Sequence, residues 1–99
     1  MLSNQTISLP ADNSVCCRFW GDECVVYHQI TASTHLVDGV GALIFGSVVK
    51  GASRQAELLE NLHNSFELPN DFDIESFLNQ LISDYQALGL LIIMEDHGV

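Results

Sequence analysis

From residue 15 to residue 28 the chain is dense in Val, Cys, Phe, Trp and Tyr, and the run is broken once, at Gly21-Asp22. Two β-formers' stretches around a glycine-containing pair predict a tight hairpin. With Gly21 and Asp22 as the turn, Trp20 faces Glu23, Phe19 faces Cys24 and Cys17 faces Val26. The two-residue period of a strand then puts Cys17, Phe19, Cys24, Val26 and His28 on one face, and Arg18, Trp20, Val25 and Tyr27 on the other. Both faces are partly apolar, so each calls for cover. Residues 29–33 read as a second turn, after which Thr34, His35, Leu36 and Val37 return as a third strand of an antiparallel meander. Asp38 then stops the strand and stands where a helix N-cap should, its carboxylate available to the first free N–H groups.

The pattern next changes to a helical one. Val40, Leu43, Ile44, Phe45, Val48 and Val49 give a first helix a broad apolar side, although Gly41 and Gly46 each weaken it by about 1 kcal/mol relative to alanine. Lys50-Gly51-Ala52 closes it. Ser53 is expected to cap a second helix running through Glu57, Leu59, Leu62 and Phe66, with Arg54, Glu57, Glu60 and Asn61 in solvent. After the turn Leu68-Pro69-Asn70, Asp71 or Asp73 caps the clearest helix, in which Ile74, Phe77, Leu78, Leu81, Tyr85 and Leu88 form a single stripe. Gly89 ends it, and residues 90–94 are a short apolar extended segment. Residues 1–14 read as a polar arm or tail, residues 15–94 as the domain, and residues 95–99 as an acidic tail. Three strands followed by three helices, with a short C-terminal strand, make a small α+β domain of winged-helix-like architecture.

Composition narrows what such a domain does. Ninety-nine residues that are 47% hydrophobic and 16% charged suit one core. The longest uncharged apolar stretch, residues 39–49, is about half of the ~20 residues that a membrane-crossing helix needs. The opening MLSNQTISLP lacks a basic start and an apolar core, so the expected address is the cytosol. Three cysteines, two of them adjacent, do not make a disulfide framework. Thirteen acidic residues against three basic ones give a formal charge of −10. Phosphate backbones and anionic lipid surfaces are bound through Lys and Arg clusters, so neither nucleic acid nor membrane is an expected partner. A winged-helix regulator is the rival class, but the third helix carries Asp73, Glu75 and Asp84 and no cation with which to meet DNA.

Catalytic signals are equally thin. Cys17, Cys24 and His28 share a face, yet they lack a fourth ligand and the Cys-x-x-Cys spacing of zinc sites. Gly41 and Gly46 have phosphate-loop spacing without the following lysine, and Gly39 and Gly41 lack the third glycine of a dinucleotide fingerprint. Ser, His and Asp are present without a nucleophile–base arrangement. No enzyme, cofactor or metal is indicated.

The segments FWGDECVVYH, THLVDGVGALIF and QALGLL, covering residues ~15 to ~92, resemble the PqqD-like peptide chaperones, and most closely the small group encoded with an HPr-kinase-related protein. The resemblance rests on Trp20-Gly21-Asp22-Glu23, Val25-Val26-Tyr27, Thr34-His35-Leu36 and Leu88-Gly89-Leu90. It implies a RiPP recognition element: a non-enzymatic adaptor that captures a precursor peptide as an added strand and delivers it to a modifying enzyme. In that family the guest lies beside the third strand, here Thr34, His35, Leu36 and Val37, against the third helix. The stripe of that helix is mainly core, so its margin, Phe77, Gln80 and Asp84, is expected to touch the guest. An HPr-kinase-like partner to which the domain docks as a structural subunit, and a homodimer through Trp20 and Tyr27, are the further partners considered.

Overall fold

The computed structural model describes residues 5–95. In chain order the elements are β1 (Gln5–Ser8), β2 (Val15–Trp20), β3 (Glu23–His28), β4 (Ser33–Asp38), α1 (Gly39–Val48), β5 (Ser53–Arg54), α2 (Gln55–Ser65), α3 (Ile74–Ala87) and β6 (Ile92–Glu95). They form two antiparallel sheets, β2-β3-β4 and β5-β1-β6. The α+β class, the three-stranded meander and the three helices after it agree with the expectation, although β1 precedes the meander and β5 lies between α1 and α2. The second sheet does not appear in the sequence reading. Residues 5–8, read there as part of an arm, form its central strand, with Ile7 fully buried. The extended segment expected at 90–94 supplies β6. The expected acidic tail lies outside the described residues apart from Glu95, the last residue of β6.

The β2–β3 hairpin has the expected register, from Trp20 opposite Glu23 to Val15 opposite His28. Gly21 makes its turn at φ +56°, a left-handed value that costs glycine little. Cys24, Val26 and His28 are buried on the inner face, whereas Trp20 on the outer face stays 59% exposed. The outer face is therefore open to solvent at Trp20, Leu36 and Tyr27.

Asp38 is the N-cap residue of α1, but its side chain makes no capping bond. The sharp change from strand to helix is made by Gly39 at φ +54°, so β4 runs into α1 with no intervening loop. Ile44, Phe45 and Val48 are buried, and Phe45 meets Tyr85 of α3 edge-on with ring centroids 5.0 Å apart. Gly41 has a packing role: a Cβ there would collide with the Tyr85 hydroxyl and crowd Val37. The expected cap of α2 at Ser53 is displaced. Ser53 and Arg54 pair with β1, and the helix starts at Gln55 with the Arg54 N–H donating to the Glu57 carboxylate at 3.2 Å. Gln55 is buried and donates to Asn79 of α3, tying the two helices together.

Asp73 caps α3: its carboxylate accepts from the backbone N–H of Ser76 at 3.1 Å and from the Ser76 hydroxyl at 2.8 Å. These bonds, first the side-chain one and then the backbone one, hold the Asp73 carboxyl below its usual value. At the other end Gly89 (φ +77°) donates to the Gln86 carbonyl and Leu90 to that of Tyr85, the paired closure of a Schellman motif.

Candidate functional site

β4 ends its sheet, and no strand pairs with its outer side among the described residues. The phase of its hydrogen bonding follows from the hairpin. A two-residue turn makes Trp20 and Glu23 a hydrogen-bonded pair, and the bond from Gln29 N–H to the Ser14 carbonyl, 2.7 Å long, keeps that alternation to the far end. Glu23, Val25 and Tyr27 thus spend their backbone groups on β2, leaving those of Cys24, Val26 and His28 for β4. Their partners there are Val37, His35 and Ser33. The N–H and C=O groups of Thr34 and Leu36 consequently point away from the sheet, a hydrogen-bonding edge four groups long.

Side chains divide the other way. Thr34 and Leu36 lie on the outer face, where Leu36 is 67% exposed, opposite Tyr27 and Val25. Ser33, His35 and Val37 lie on the inner face: Val37 is buried, and the His35 ring is half-buried with Nε2 3.1 Å from the Ser33 hydroxyl.

α3 lies on that inner side. Tyr85 packs at Gly41 and Val37, and Gly89 approaches the His28 ring. Asn79, bound to Gln55, fixes the flank of α3 that faces α2. The opposite flank carries Phe77, Leu81, Asp84 and Leu88, at i, i+4, i+7 and i+11. Here the stripe read from sequence is corrected. Ile74, Leu78 and Ile82 are the buried residues of α3, whereas Phe77 and Leu88 are 40% and 48% exposed. Burial follows the line toward the sheet and α2, so the stripe's trailing margin is left outside. Phe77 is tilted against Phe72, centroids 5.7 Å apart, and Gln80 donates to Asp84 at 2.9 Å.

The chosen residues are thus arranged as an exposed strand edge (Thr34, Leu36), two inner-face neighbours (His35, Val37) and a helix margin (Phe77, Asp84), with Gln80 further round the helix. Leu81 and Leu88 join Phe77 along that flank. Sequence reasoning assigned both to the core: Leu81 is half-buried and does pack against it, whereas Leu88 is exposed, off the line through Leu78 and Ile82. Asp38 and Asp84 lie near enough to Tyr85 to add to the effect of burial, which is the main cause holding its hydroxyl above the usual value.

Cys17 and Cys24 are diagonal neighbours across β2 and β3 and hydrogen-bond to each other. Burial, followed by the neighbouring Cys24, pushes the Cys17 thiol up to about 12, which disfavours the thiolate that a metal would need. Among the described residues no group of three or more His, Cys, Asp or Glu side chains could hold a metal ion, and no helix is long and apolar enough to cross a membrane.

No protein-family model matches the chain, and no curated protein matches it in sequence. Among solved structures, TbiB1 in complex with the TbiA(β) leader peptide superposes with a TM-score of 0.74 at 20% identity, covering 93% of this chain and 96% of that one. At that identity the likeness is one of fold, and it extends over nearly the whole chain.

Proposed function

We propose that the protein is a non-enzymatic peptide-binding adaptor, which takes up an extended segment of a precursor peptide at the edge of β4 and presents it to a modifying enzyme. The observation that carries this reading is the unpaired backbone edge at Thr34 and Leu36. A guest strand satisfies those backbone groups and sets alternate side chains against Phe77, Leu81 and Leu88. The fold shared with TbiB1, which was solved with a leader peptide bound, supports the reading. So does the resemblance to the PqqD-like chaperones, and the group encoded with an HPr-kinase-related protein supplies a candidate for the enzyme or docking partner.

Charge sets the preference. Glu23 and Asp38 pair at one end of the edge, and Asp38 and Asp84 both lie near Tyr85, so a guest with some positive charge is favoured. The same charges oppose the alternative of a DNA-reading regulator, because α3 offers acids to the phosphate backbone. Titrating the 15N-labelled protein with candidate precursor-type leader peptides tests the proposal. Amide shifts concentrated at residues 33–37 and at Phe77, Gln80 and Asp84 are the expected result. Shifts confined to the outer face at Trp20 and Tyr27 would point to a dimer or docking surface, and salt-dependent binding of duplex DNA would favour the regulator.

A further inference from the structure

The hydrogen-bond phase of β4 also fixes which guest side chains meet which residues. Thr34 and Leu36, whose backbone groups point to the free edge, carry their side chains on the outer face. Register partners share a face in antiparallel and parallel ladders alike, so the guest residue in register with Leu36 also points outward, with the two Cβ atoms ~5 Å apart. It extends a row that crosses the sheet through Arg18, Val25 and Leu36. On one side of that row run Cys16, Tyr27 and Thr34, and on the other Trp20, Glu23 and Asp38.

Burial along the row stops at its end. Val25, with a neighbour on each side, is half-buried, whereas Leu36, which lacks one, is 67% exposed. Tyr27, diagonal to Leu36, is 39% exposed. The buried residues of β3 and β4, namely Cys24, Val26, His28 and Val37, all lie on the inner face, so the outer one is uncovered among the described residues. The two ends of the row differ in kind. At the β2 end stands Arg18, and on the inner side of that strand lie two open clefts of about 610 and 480 Å³ that share Phe19, Leu43 and Gly46. A cation in the middle of an edge strand discourages a neighbour, and β2 has one where β4 has Leu36. Residues 33–37 hold no Asp, Glu, Lys or Arg, and no bulge interrupts their register with β3.

We infer, on the reading of β4 as the guest edge, that its outer face is a specificity site, which selects a guest whose residue in register with Leu36 is β-branched aliphatic or aromatic. Packing that side chain against Leu36, with Val25 and Tyr27 behind it, removes apolar surface from water on both partners. Residues of this kind make the most stabilising cross-strand pairs and favour the extended form that the guest adopts. A lysine or glutamate there keeps its charge hydrated only by standing off Leu36. Two residues along the same face the guest reaches Asp38 beside Glu23, where the positive charge favoured above belongs. Asp38 is available for it, since its side chain makes no capping bond to α1. In an antiparallel guest the basic residue therefore precedes the apolar one by two places.

Three synthetic probes that differ at one position test this on the full chain: acetyl-Thr-Lys-Thr-Ile-Thr-Thr-Thr amide and its counterparts with Ser or Lys in place of Ile. Threonine elsewhere suits a strand without adding another large apolar side chain. Affinities are read from amide shifts at residues 33–37. The Ile probe is expected to bind about fivefold more tightly than the Ser probe, and its shifts to extend to Val25 and Tyr27. Leu36→Thr, a strand-former at an exposed position, keeps the fold and should shrink that difference to less than about twofold. Leu36→Glu should instead make the Lys probe the tightest of the three. Equal affinity for the three probes at residues 33–37, or a preference for Ile that survives Leu36→Thr, would overturn the inference and leave β4 as the guest edge. Absence of shifts at residues 33–37 with every probe at millimolar concentration would overturn both.

Discussion

The two edges of the β2-β3-β4 sheet are built from the same kind of strand but differ in what lies against them. At β4, α1 follows directly from the strand and Tyr85 of α3 reaches Gly41 and Val37, while beside β2 the clefts run over α1 to Lys50. Glycine counts differently at the two places. Gly41 admits the Tyr85 hydroxyl of α3 close to the end of β4, whereas at Gly46, on the same helix, a Cβ would make only an ordinary 3.9 Å contact with Phe19. One glycine is required by a close contact and the other is not. Edge availability is thus decided less by strand sequence than by what the adjoining helix brings to it.

The sharpest way to break the comparison is to exploit the hydrogen-bond phase of β4. His35→Pro deletes a bond to β3 inside the sheet and should cost about 3 kcal/mol or more, seen as a fall in the urea midpoint. Leu36→Pro deletes only an outward N–H, a position that tolerates proline, so the fold should survive it while strand addition is lost. Similar destabilisation by both would mean that the phase is wrong. Next in size, Gly41→Ala should cost about 1–3 kcal/mol by overpacking against Tyr85, and part of this should return in the Gly41→Ala, Tyr85→Phe double variant. Gly46→Ala has ordinary room at Phe19 and should stabilise by about 0.5–1 kcal/mol, because the only change is a better helix former.

The smallest effect is one of pH. Burial first, then Asp38 and Asp84, raise the hydroxyl of Tyr85 above its usual 10.0, so the folded chain holds this proton more tightly than the unfolded chain does. The resulting stability is fully present below pH ~10 and is lost as pH rises through the folded-state value. Tyr85→Phe should remove this contribution from the alkaline slope of stability. Cys17, raised to about 12, and Cys24, also raised by burial, act in the same direction.

Much of the meander was legible because its signals are local. Gly21-Asp22 fixed the hairpin and two-residue periodicity fixed its register, and both are found as expected. Gly89 marked one end of α3 by its own chemistry, and of the two aspartates that could cap the other, Asp71 and Asp73, it is Asp73 that does. The second sheet was hidden because its pairings are long-range: β1 is four residues long, β5 is two, and β6 lies at the opposite end of the chain. Nothing in the neighbourhood of Ile7 announces that it will be fully buried between them. The α3 flank was partly legible. Periodicity found the apolar stripe but could not tell its core line, through Leu78 and Ile82, from the exposed margin at Phe77 and Leu88. That distinction depends on where α2 and β4 sit.

Amide hydrogen exchange along β4 tests the central claim most directly. In the free protein Thr34 and Leu36 should exchange rapidly and His35 and Val37 slowly, and a bound precursor peptide should slow the first two specifically. Slow exchange at Thr34 and Leu36 before any peptide is added, or rapid exchange that persists in the complex, would contradict the account.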